Sequence, residues 1–271
     1  MSAMQTPKKG IYWLPNLLTT TALFCGFYAI VAGFNQEFEH GAIAIFVAMI
    51  FDSLDGRVAR MANATSAFGA EYDSLSDMVS FGLAPAMLMY SFGLHELGKI
   101  GWVVAFVYVA AAALRLARFN TQVGTADKRY FQGLPSPAAA GVLAACIWML
   151  GSETISFFMI WVVAGLTAVS GLLMVSNFRY HSFKEFQMKD KVPFMTLLVI
   201  LGVGVVILID PASLLLLALV IYAISGPIVT FIGLKERRRV RRSKKDEDVV
   251  VETVEPTISP ESNVPPSHKL D

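Results

Sequence analysis

The sequence is poor in charged residues and in the side chains that bind soft metals. Of its 271 residues, 16% are charged and 55% are hydrophobic, whereas soluble domains carry about 25% charged residues. Its two cysteines, Cys25 and Cys146, lie inside apolar runs, and no Cys or His spacing is typical of a zinc site. This scarcity argues against a soluble enzyme, a disulfide framework and a zinc centre, and it indicates a protein embedded in a lipid bilayer.

Apolar stretches recur along most of the chain. Each is close to the roughly 20 residues that a helix needs to cross the hydrocarbon core. Because backbone inside lipid must satisfy its own hydrogen bonds, these stretches are expected to be helices. The sequence therefore predicts an all-α, polytopic membrane bundle of about eight transmembrane helices. The predicted spans are residues 15–34, 40–61, 70–92, 99–119, 135–150, 155–176, 193–209 and 212–233.

Basic residues are distributed unevenly between the connecting segments. With the N-terminus inside, the cytoplasmic segments hold every Lys and Arg except Lys99, so the positive-inside rule predicts that both termini are cytoplasmic. Residues 1–234 are expected to form one membrane-embedded domain. Residues 235–271 are expected to form a basic juxtamembrane segment followed by a disordered cytoplasmic tail. The basic run either attracts anionic lipid head groups or is a topology signal alone.

Four aspartates stand out against this apolar background, because charges inside a span are costly and usually functional. Asp52 and Asp55 share one face of the second span, and Asp73 and Asp77 share one face of the third. A short connection makes these spans antiparallel, so the two carboxylate faces are expected to meet. Four ionised carboxylates repel one another, and two divalent cations would neutralise them. Oxygen ligands without nearby His or Cys favour Mg²⁺ or Mn²⁺.

Small residues beside the aspartates leave room for a large ligand. Gly56, Ala59 and Gly69 leave the two faces bare, so a phosphate-bearing molecule can approach the backbone, and Arg60 can reach a phosphate. Two other interpretations of the cluster stand beside this one. The carboxylates could pair with Arg57 and Arg60 for structural reasons, although that leaves an excess of negative charge. They could also line an ion or proton pathway of a transporter, although such pathways usually spread ionisable groups through the membrane depth.

Residues 52–77 contain a pattern with eight fixed positions, D-x-x-D-G-x-x-A-R-x8-G-x-x-x-D-x-x-x-D. This pattern resembles the signature of the CDP-alcohol phosphatidyltransferase family, with no departure. The resemblance implies a helical membrane enzyme, usually homodimeric, with a two-metal site at the cytoplasmic side. Such enzymes cleave the pyrophosphate of a CDP-linked lipid, here expected to be CDP-diacylglycerol, join the phosphatidyl group to an alcohol and release CMP. The implied surroundings are membrane lipids, with no nucleic acid.

The resemblance also implies roles for individual residues. Asp52, Asp55 and Asp73 resemble the family's metal ligands, and Asp77 resembles the ligand of the second metal that also serves as general base. Together with the bare positions above, the expected CDP-lipid contacts are Asn16, Thr19, Gly56, Ala59, Arg60, Ser66 and Gly69. For Asn16 and Thr19, helix capping is the alternative.

Three stretches outside this signature look like the phosphatidylserine synthase branch of the family. They are ALRLARFN (113–120), YFQGLPSPAAAG (130–141) and MVSNFRYHSFKEF (174–186). This likeness implies L-serine as the acceptor, and glycerol phosphate or inositol phosphate is the alternative. A zwitterionic acceptor needs a cation for its carboxylate. Arg115 and Arg118 lie at i and i+3 on the fourth span and are the candidates, with positive-inside topology and snorkelling as the competing explanation.

Overall fold

The computed structural model describes residues 13–62, 64, 66–122, 130–151, 155–181 and 210–231. Its architecture is helical, which confirms the predicted all-α membrane bundle. The helices are α1 (Trp13–Phe34), α2 (Phe38–Met61), α3 (Ala67–Asp77), α4 (Ala84–Phe92), α5 (Lys99–Gln122), α6 (Ser136–Leu150), α7 (Phe157–Val175) and α8 (Pro211–Phe231).

Four of these helices, α1, α5, α7 and α8, are long and apolar enough to cross a membrane. Helices coincide with seven of the predicted spans within a few residues, if α3 and α4 are counted as one span. The remaining predicted span, residues 193–209, lies outside the described residues. The protein is therefore an integral membrane protein, and the count of eight spans stays a prediction.

Helix α1 packs through a stripe of small residues. Ala22, Gly26, Ala29 and Gly33 recur every three or four positions and are buried against α2, the segment that follows α3, and α4. Small side chains let helix backbones approach closely in a membrane, where packing and hydrogen bonds drive association. The approach is tightest at Gly26, where an added Cβ would lie 2.6 Å from the Cα of Ser80. This stripe brings α1 against both helices that carry the aspartates.

Helix α6 lies in the interior of the bundle. Its buried residues run without interruption from Ala139 to Ile147, as expected for a helix that is apolar on every side. The same core contains the largest fully buried side chains, among them Tyr108, Phe81 and Leu88. Because α6 is enclosed by other helices, the position of its first residue is set by the whole bundle.

A π-helical segment, Met78–Leu83, joins α3 to α4 within the predicted third span. The predicted span of residues 70–92 is therefore helical throughout, with a π-helical segment that the sequence analysis did not predict. Pro85 supplies the physical reason, because proline has no N–H and its ring clashes with the carbonyl four residues earlier. That carbonyl belongs to Phe81, and it accepts a hydrogen bond from the hydroxyl of Tyr108 at 3.1 Å. Segments of this kind often occur at functional sites, and this one begins directly after Asp77.

Two short strands, which the sequence did not predict, connect the segments that follow α5 and α7. Strand β1 (Tyr130–Gln132) pairs antiparallel with β2 (Arg179–His181), with Phe131 opposite Tyr180. We call this pair the ribbon. Next to β1, the N–H of Gly133 donates to the carbonyl of Phe178 at 2.9 Å. Gly133 has a φ of +79°, and an added Cβ would lie 2.2 Å from the carbonyl oxygen of Met174, so a side chain is not accommodated here.

Tyr180 anchors the ribbon to α8. Its ring is fully buried, and its hydroxyl donates to the carbonyl of Ala223 at 2.8 Å. Burial, with a smaller effect of the Tyr222 phenol, raises the pKa of Tyr180 to about 12, so the phenol is protonated at neutral pH and can donate this bond. A Cβ on Gly226 would overlap the ring. The ribbon is thus held by the pairing of its two strands and by a hydrogen bond to the transmembrane helix α8.

Contacts divide the chain into two units, Met1–Val229 and Thr230–Asp271. The basic run at 235–245 and the tail that follows it lie outside the described residues. The predicted boundary after residue 234 and the predicted disorder of the tail therefore stay predictions.

Candidate active site

The carboxylates of Asp52, Asp55 and Asp73 form a compact cluster. One oxygen from each lies within 4.8 Å of the other two. Asp52 and Asp55 occupy the last turns of α2, and Asp73 lies in α3, so the two carboxylate faces meet as the helical spacing predicted. Three converging oxygen ligands can hold a divalent cation such as Mg²⁺.

Thr19 of α1 orients one of these carboxylates. Its hydroxyl donates to Oδ2 of Asp55 at 2.6 Å, while the carbonyl of Pro15 lies farther away, at 3.1 Å. Both Thr19 and Asp55 are buried. A hydroxyl has one proton, and the shorter contact to the charged acceptor is the stronger of the two. The structure places the Thr19 hydroxyl on a candidate metal ligand, and the predicted contact of Thr19 with a nucleotide stays a prediction.

One oxygen of Asp73 is buried without a partner. Among the described residues, its Oδ1 has no hydrogen-bond donor. A buried carboxylate oxygen without a donor is costly, and a cation bound between the three carboxylates would satisfy it. The donor set and the orphaned oxygen together fit a divalent metal.

Asp77 joins the cluster from the end of α3. Its carboxyl lies beside that of Asp52, and the carboxylates of Asp52 and Asp73 both act on it electrostatically. The neighbouring serines fix this stretch of backbone against α1. Ser76 donates to the carbonyl of Thr19 at 3.1 Å, and Ser80 donates to that of Ala22 at 3.0 Å. Asp77 is therefore held at the junction of α3, the π-helical segment and α1.

The two candidate acceptor arginines have different surroundings. Arg115 interacts electrostatically with Asp77, and its Nη1 donates to the hydroxyl of Ser136 at 2.7 Å. Arg118 donates to Oδ1 of Asn177 at 3.3 Å, at the exposed end of α5. The i, i+3 spacing predicted that the two guanidinium groups point together. The structure brings Arg115 to the cluster and gives Arg118 a separate partner.

Three of the expected nucleotide contacts meet at the start of α3. Ser66 is the N-cap of this helix, and its hydroxyl accepts the N–H of Gly69 at 3.0 Å. A Cβ on Gly69 would lie 3.1 Å from that hydroxyl and 3.6 Å from Oδ1 of Asn16. Capping explains Ser66 locally. The contact of these three residues with a nucleotide stays a prediction.

The remaining expected contacts lie on the last turns of α2. Gly56 and Ala59 are half-buried, and Arg60 is exposed. A Cβ on Gly56 would meet only the Nη1 of Arg60, at 3.8 Å, so the space over Gly56 is open apart from this guanidinium. Within the described part of the chain, no salt bridge joins the four aspartates to Arg57 or Arg60. The interpretation of the aspartates as structural ion pairs therefore finds no support here.

Sequence reasoning assigned no role to Tyr108 and did not connect Ser136 with Arg115. Ser136 is fully buried at the start of α6 and contacts Arg115, while Tyr108 supports the π-helical segment beside Asp77. Pro85, four residues after Phe81, was the available signal for the interrupted helix. No comparable local signal points to Ser136, because its partner lies 21 residues away in the chain.

Comparisons with known proteins agree with this geometry. The sequence model described as CDP-alcohol phosphatidyltransferase matches residues 12–169. The chain is 36% identical over 228 residues to the CDP-diacylglycerol–serine O-phosphatidyltransferase of Helicobacter pylori strain J99, covering 82% of this chain and 92% of that protein. The enzyme of the same name from Bacillus subtilis is 34% identical over 64% of this chain and 92% of its own length. That of Methanocaldococcus jannaschii is 37% identical over 57% of this chain and 70% of its own.

Proposed function

The chain belongs to the CDP-alcohol phosphatidyltransferase family, and on that premise we propose that it transfers the phosphatidyl group of CDP-diacylglycerol to L-serine, giving phosphatidylserine and CMP. The observation that carries this proposal is the carboxylate cluster of Asp52, Asp55 and Asp73, with Asp77 beside it and Arg115 interacting electrostatically with Asp77. Serine as the acceptor is supported by the names of the relatives above. The transporter interpretation has no such support.

The cluster is proposed to hold two divalent cations, Mg²⁺ or Mn²⁺, through Asp52, Asp55, Asp73 and Asp77. When bound, such cations neutralise the pyrophosphate and stabilise the charge that develops on the phosphoryl oxygens. The protein's part is to keep the ligands in place, and Thr19 does so for Asp55 by a hydrogen bond of 2.6 Å. Arg60 and the open backbone at Gly56 are proposed to receive the CDP moiety, together with Gly69, Asn16 and Ser66 at the start of α3.

Asp77 is proposed to be the general base. The hydroxyl of serine has a pKa far above neutral, so its proton must be removed as the oxygen attacks phosphorus. Asp77 is a carboxylate beside the cluster, at the end of a helix whose backbone is tied to α1 by Ser76 and Ser80. Attack forms the new P–O bond while the bond to CMP breaks, so no covalent intermediate with the protein is needed.

Arg115 is proposed to bind the carboxylate of the acceptor. It acts electrostatically on Asp77, yet no salt bridge joins them in the described part of the chain. A small hydroxy acid fits between two such groups, with its hydroxyl toward Asp77 and its carboxylate toward the guanidinium.

The setting of the reaction is part of the proposal. The positive-inside distribution of Lys and Arg supports an active site and both termini on the cytoplasmic side of the cell membrane. A homodimer surrounded by membrane lipids is proposed from the family resemblance. These statements can be checked by cysteine labelling of the loops and by cross-linking in native membranes.

An assay with purified protein tests the proposed function. CDP-diacylglycerol, labelled L-serine and Mg²⁺ or Mn²⁺ should give labelled phosphatidylserine and one CMP for each product molecule. Removing the metal with EDTA should stop product formation, and adding it back should restore it. CMP release that does not depend on serine, or product formed only with glycerol phosphate or inositol phosphate, would reject serine as the acceptor.

A further inference from the structure

Arg115 has a buried nitrogen without a hydrogen-bond partner among the described residues. Its Nε–H finds no acceptor there, although its Nη1 donates to the hydroxyl of Ser136. A buried guanidinium N–H is costly when it lacks an acceptor. Tyr108 lies nearby, but no hydrogen bond joins its hydroxyl to this nitrogen; the hydroxyl donates to the carbonyl of Phe81. Within the described residues, the guanidinium therefore keeps one N–H open to an acceptor group of a ligand.

Ser136 holds this guanidinium from one side. The contact between Nη1 of Arg115 and Oγ of Ser136 is 2.7 Å, and Ser136 is fully buried. The serine oxygen is neutral, so it restricts the guanidinium plane without cancelling its charge, which an aspartate or glutamate at this position would do. A positioned cation that keeps its charge is suited to bind an anionic group of a substrate.

The backbone around Ser136 is fixed by long-range contacts. Gly133 and Leu134 donate their N–H groups to the carbonyls of Phe178 and Leu173 at 2.9 and 3.0 Å. The ribbon strands continue this pairing, and α6 begins at Ser136 itself. The backbone that carries the Ser136 hydroxyl is therefore held in place by residues of α7 and of the segment that follows it.

Arg118 provides an internal contrast. Its bond to Asn177 is 3.3 Å long and exposed, whereas the bond of Arg115 to Ser136 is 2.7 Å long and part-buried. A long, solvent-exposed hydrogen bond restrains a side chain weakly. Of the two candidate cations, Arg115 is the one that the fold holds in place.

We propose that Ser136 is a positioning residue that fixes Arg115 to receive the carboxylate of the acceptor, so that it determines selectivity for a carboxylate-bearing alcohol. This inference rests on the proposed function, because it assumes an acceptor whose hydroxyl meets Asp77. It concerns recognition rather than chemistry, since Ser136 contacts Arg115 and no reacting atom. Loss of the hydroxyl should therefore weaken acceptor binding and leave the chemical step intact.

The test compares Ser136→Ala with wild type, using full-length protein purified in detergent. We expect the KM for L-serine to rise about tenfold, with kcat and the KM for CDP-diacylglycerol changed less than about twofold. L-serinamide, which lacks the carboxylate charge, is measured in parallel as an alternative acceptor or as a competitor of serine. The preference for serine over serinamide should fall about tenfold in the variant.

Three further variants make the result specific. Ser136→Thr keeps a hydroxyl and should restore the KM for serine. Ser136→Cys keeps the size but offers a weak acceptor, so it should resemble Ser136→Ala and replaces that variant if it does not fold. Thr167→Val removes another fully buried hydroxyl, which bonds to the carbonyl of Val163 in its own helix. It should leave both acceptors unaffected.

The outcomes separate the two proposals. If wild type releases no CMP in response to serine, the proposed function fails. If wild type is active but the alanine and cysteine variants keep the KM and the selectivity of wild type, the role of Ser136 is wrong. An equal loss for serine and serinamide also overturns it, because that result indicates a structural role alone.

Discussion

The two sides of the candidate site are built in different ways. The carboxylate side, formed by Asp52, Asp55 and Asp73, comes from two helices that are adjacent in sequence. The arginine side combines Asp77 with Arg115 and Ser136, which lie in three helices, and it depends on the ribbon. The four aspartates of the signature that resembles the family's lie within 26 consecutive residues, 52–77. The part proposed to choose the acceptor is assembled from distant segments.

The two sides are also restrained to different degrees. On the carboxylate side, α1 contributes Thr19 to Asp55 and packs against Ser80 through Gly26. On the arginine side, the guanidinium of Arg115 is held at one nitrogen and open at another. Carboxylates held by a hydrogen bond from a neighbouring helix, beside an arginine that keeps one nitrogen open among the described residues, suit a fold that serves several acceptor alcohols, because binding residues can change while the chemistry is kept.

Replacing the proposed base should have the largest effect. Asp77→Asn should lower kcat by about 10²- to 10⁴-fold, because the amide cannot take the proton of the acceptor hydroxyl. Binding of CDP-lipid, followed by titration calorimetry in the presence of Mn²⁺, should remain largely in place. Glu71→Gln is the matched control, since Glu71 is an exposed carboxylate on the same helix. Near-normal turnover of Asp77→Asn would remove Asp77 from the role of base.

The close contact between α1 and the π-helical segment can be tested with glycine substitutions. In Gly26→Ala the new Cβ would lie 2.6 Å from both Cα and Oγ of Ser80, so the helices must separate and stability should fall by about 1–3 kcal/mol. Gly165 on α7 has no atom within 4 Å of the corresponding position. Gly165→Ala should therefore be neutral or slightly stabilising. Thermal unfolding in the same detergent compares the two, and equal midpoints would contradict the packing described here.

Removing the hydroxyl of Thr19 should weaken metal binding. Thr19→Val takes away the 2.6 Å bond to Asp55, and loss of such a supporting bond typically costs about 10- to 100-fold in metal affinity. We expect an increase of about tenfold in the Mn²⁺ concentration needed for half-maximal activity, with a matching shift in Mn²⁺ binding followed by electron paramagnetic resonance.

Two variants of the same helix control this experiment. Thr19→Ser keeps the hydroxyl and should behave like wild type. Thr21→Val removes a hydroxyl that bonds to the carbonyl of Leu17 within α1, and it should leave the metal requirement unchanged. A shift in Thr21→Val as large as that in Thr19→Val would show that the effect is not specific to Asp55.

Replacing Arg118 should have the smallest effect. Its exposed 3.3 Å bond to Asn177 is near the upper limit for a useful hydrogen bond, so Arg118→Gln should change the KM for serine by less than about twofold. Arg115→Gln is the comparison and should raise the KM for serine by tenfold or more. If the two variants lose serine binding equally, both arginines line the pocket and the contrast between them is wrong.

The helical architecture and the carboxylate side were predictable because they follow from local rules. Asp52, Asp55, Asp73 and Asp77 lie at intervals of three and four residues, and a short connection between α2 and α3 leaves the two helices adjacent. Pro85 indicated the π-helical segment in the third span, but the sequence prediction did not include that segment. The ribbon was not predictable, because its three-residue strands are too short for an alternating pattern and pair across about 50 residues of chain.

By itself, the sequence determined a membrane-embedded helical protein with four clustered carboxylates, since hydrophobicity and helical periodicity are properties of neighbouring residues. The tertiary structure decided which groups surround them. In the folded protein the Thr19 hydroxyl donates to Asp55, and Arg115 rather than Arg118 interacts with Asp77. Ser136 contacts the guanidinium of Arg115. These contacts join residues 21 to 38 positions apart, and only the packing of the helices, through small residues such as Gly26, determines which of many polar side chains meet.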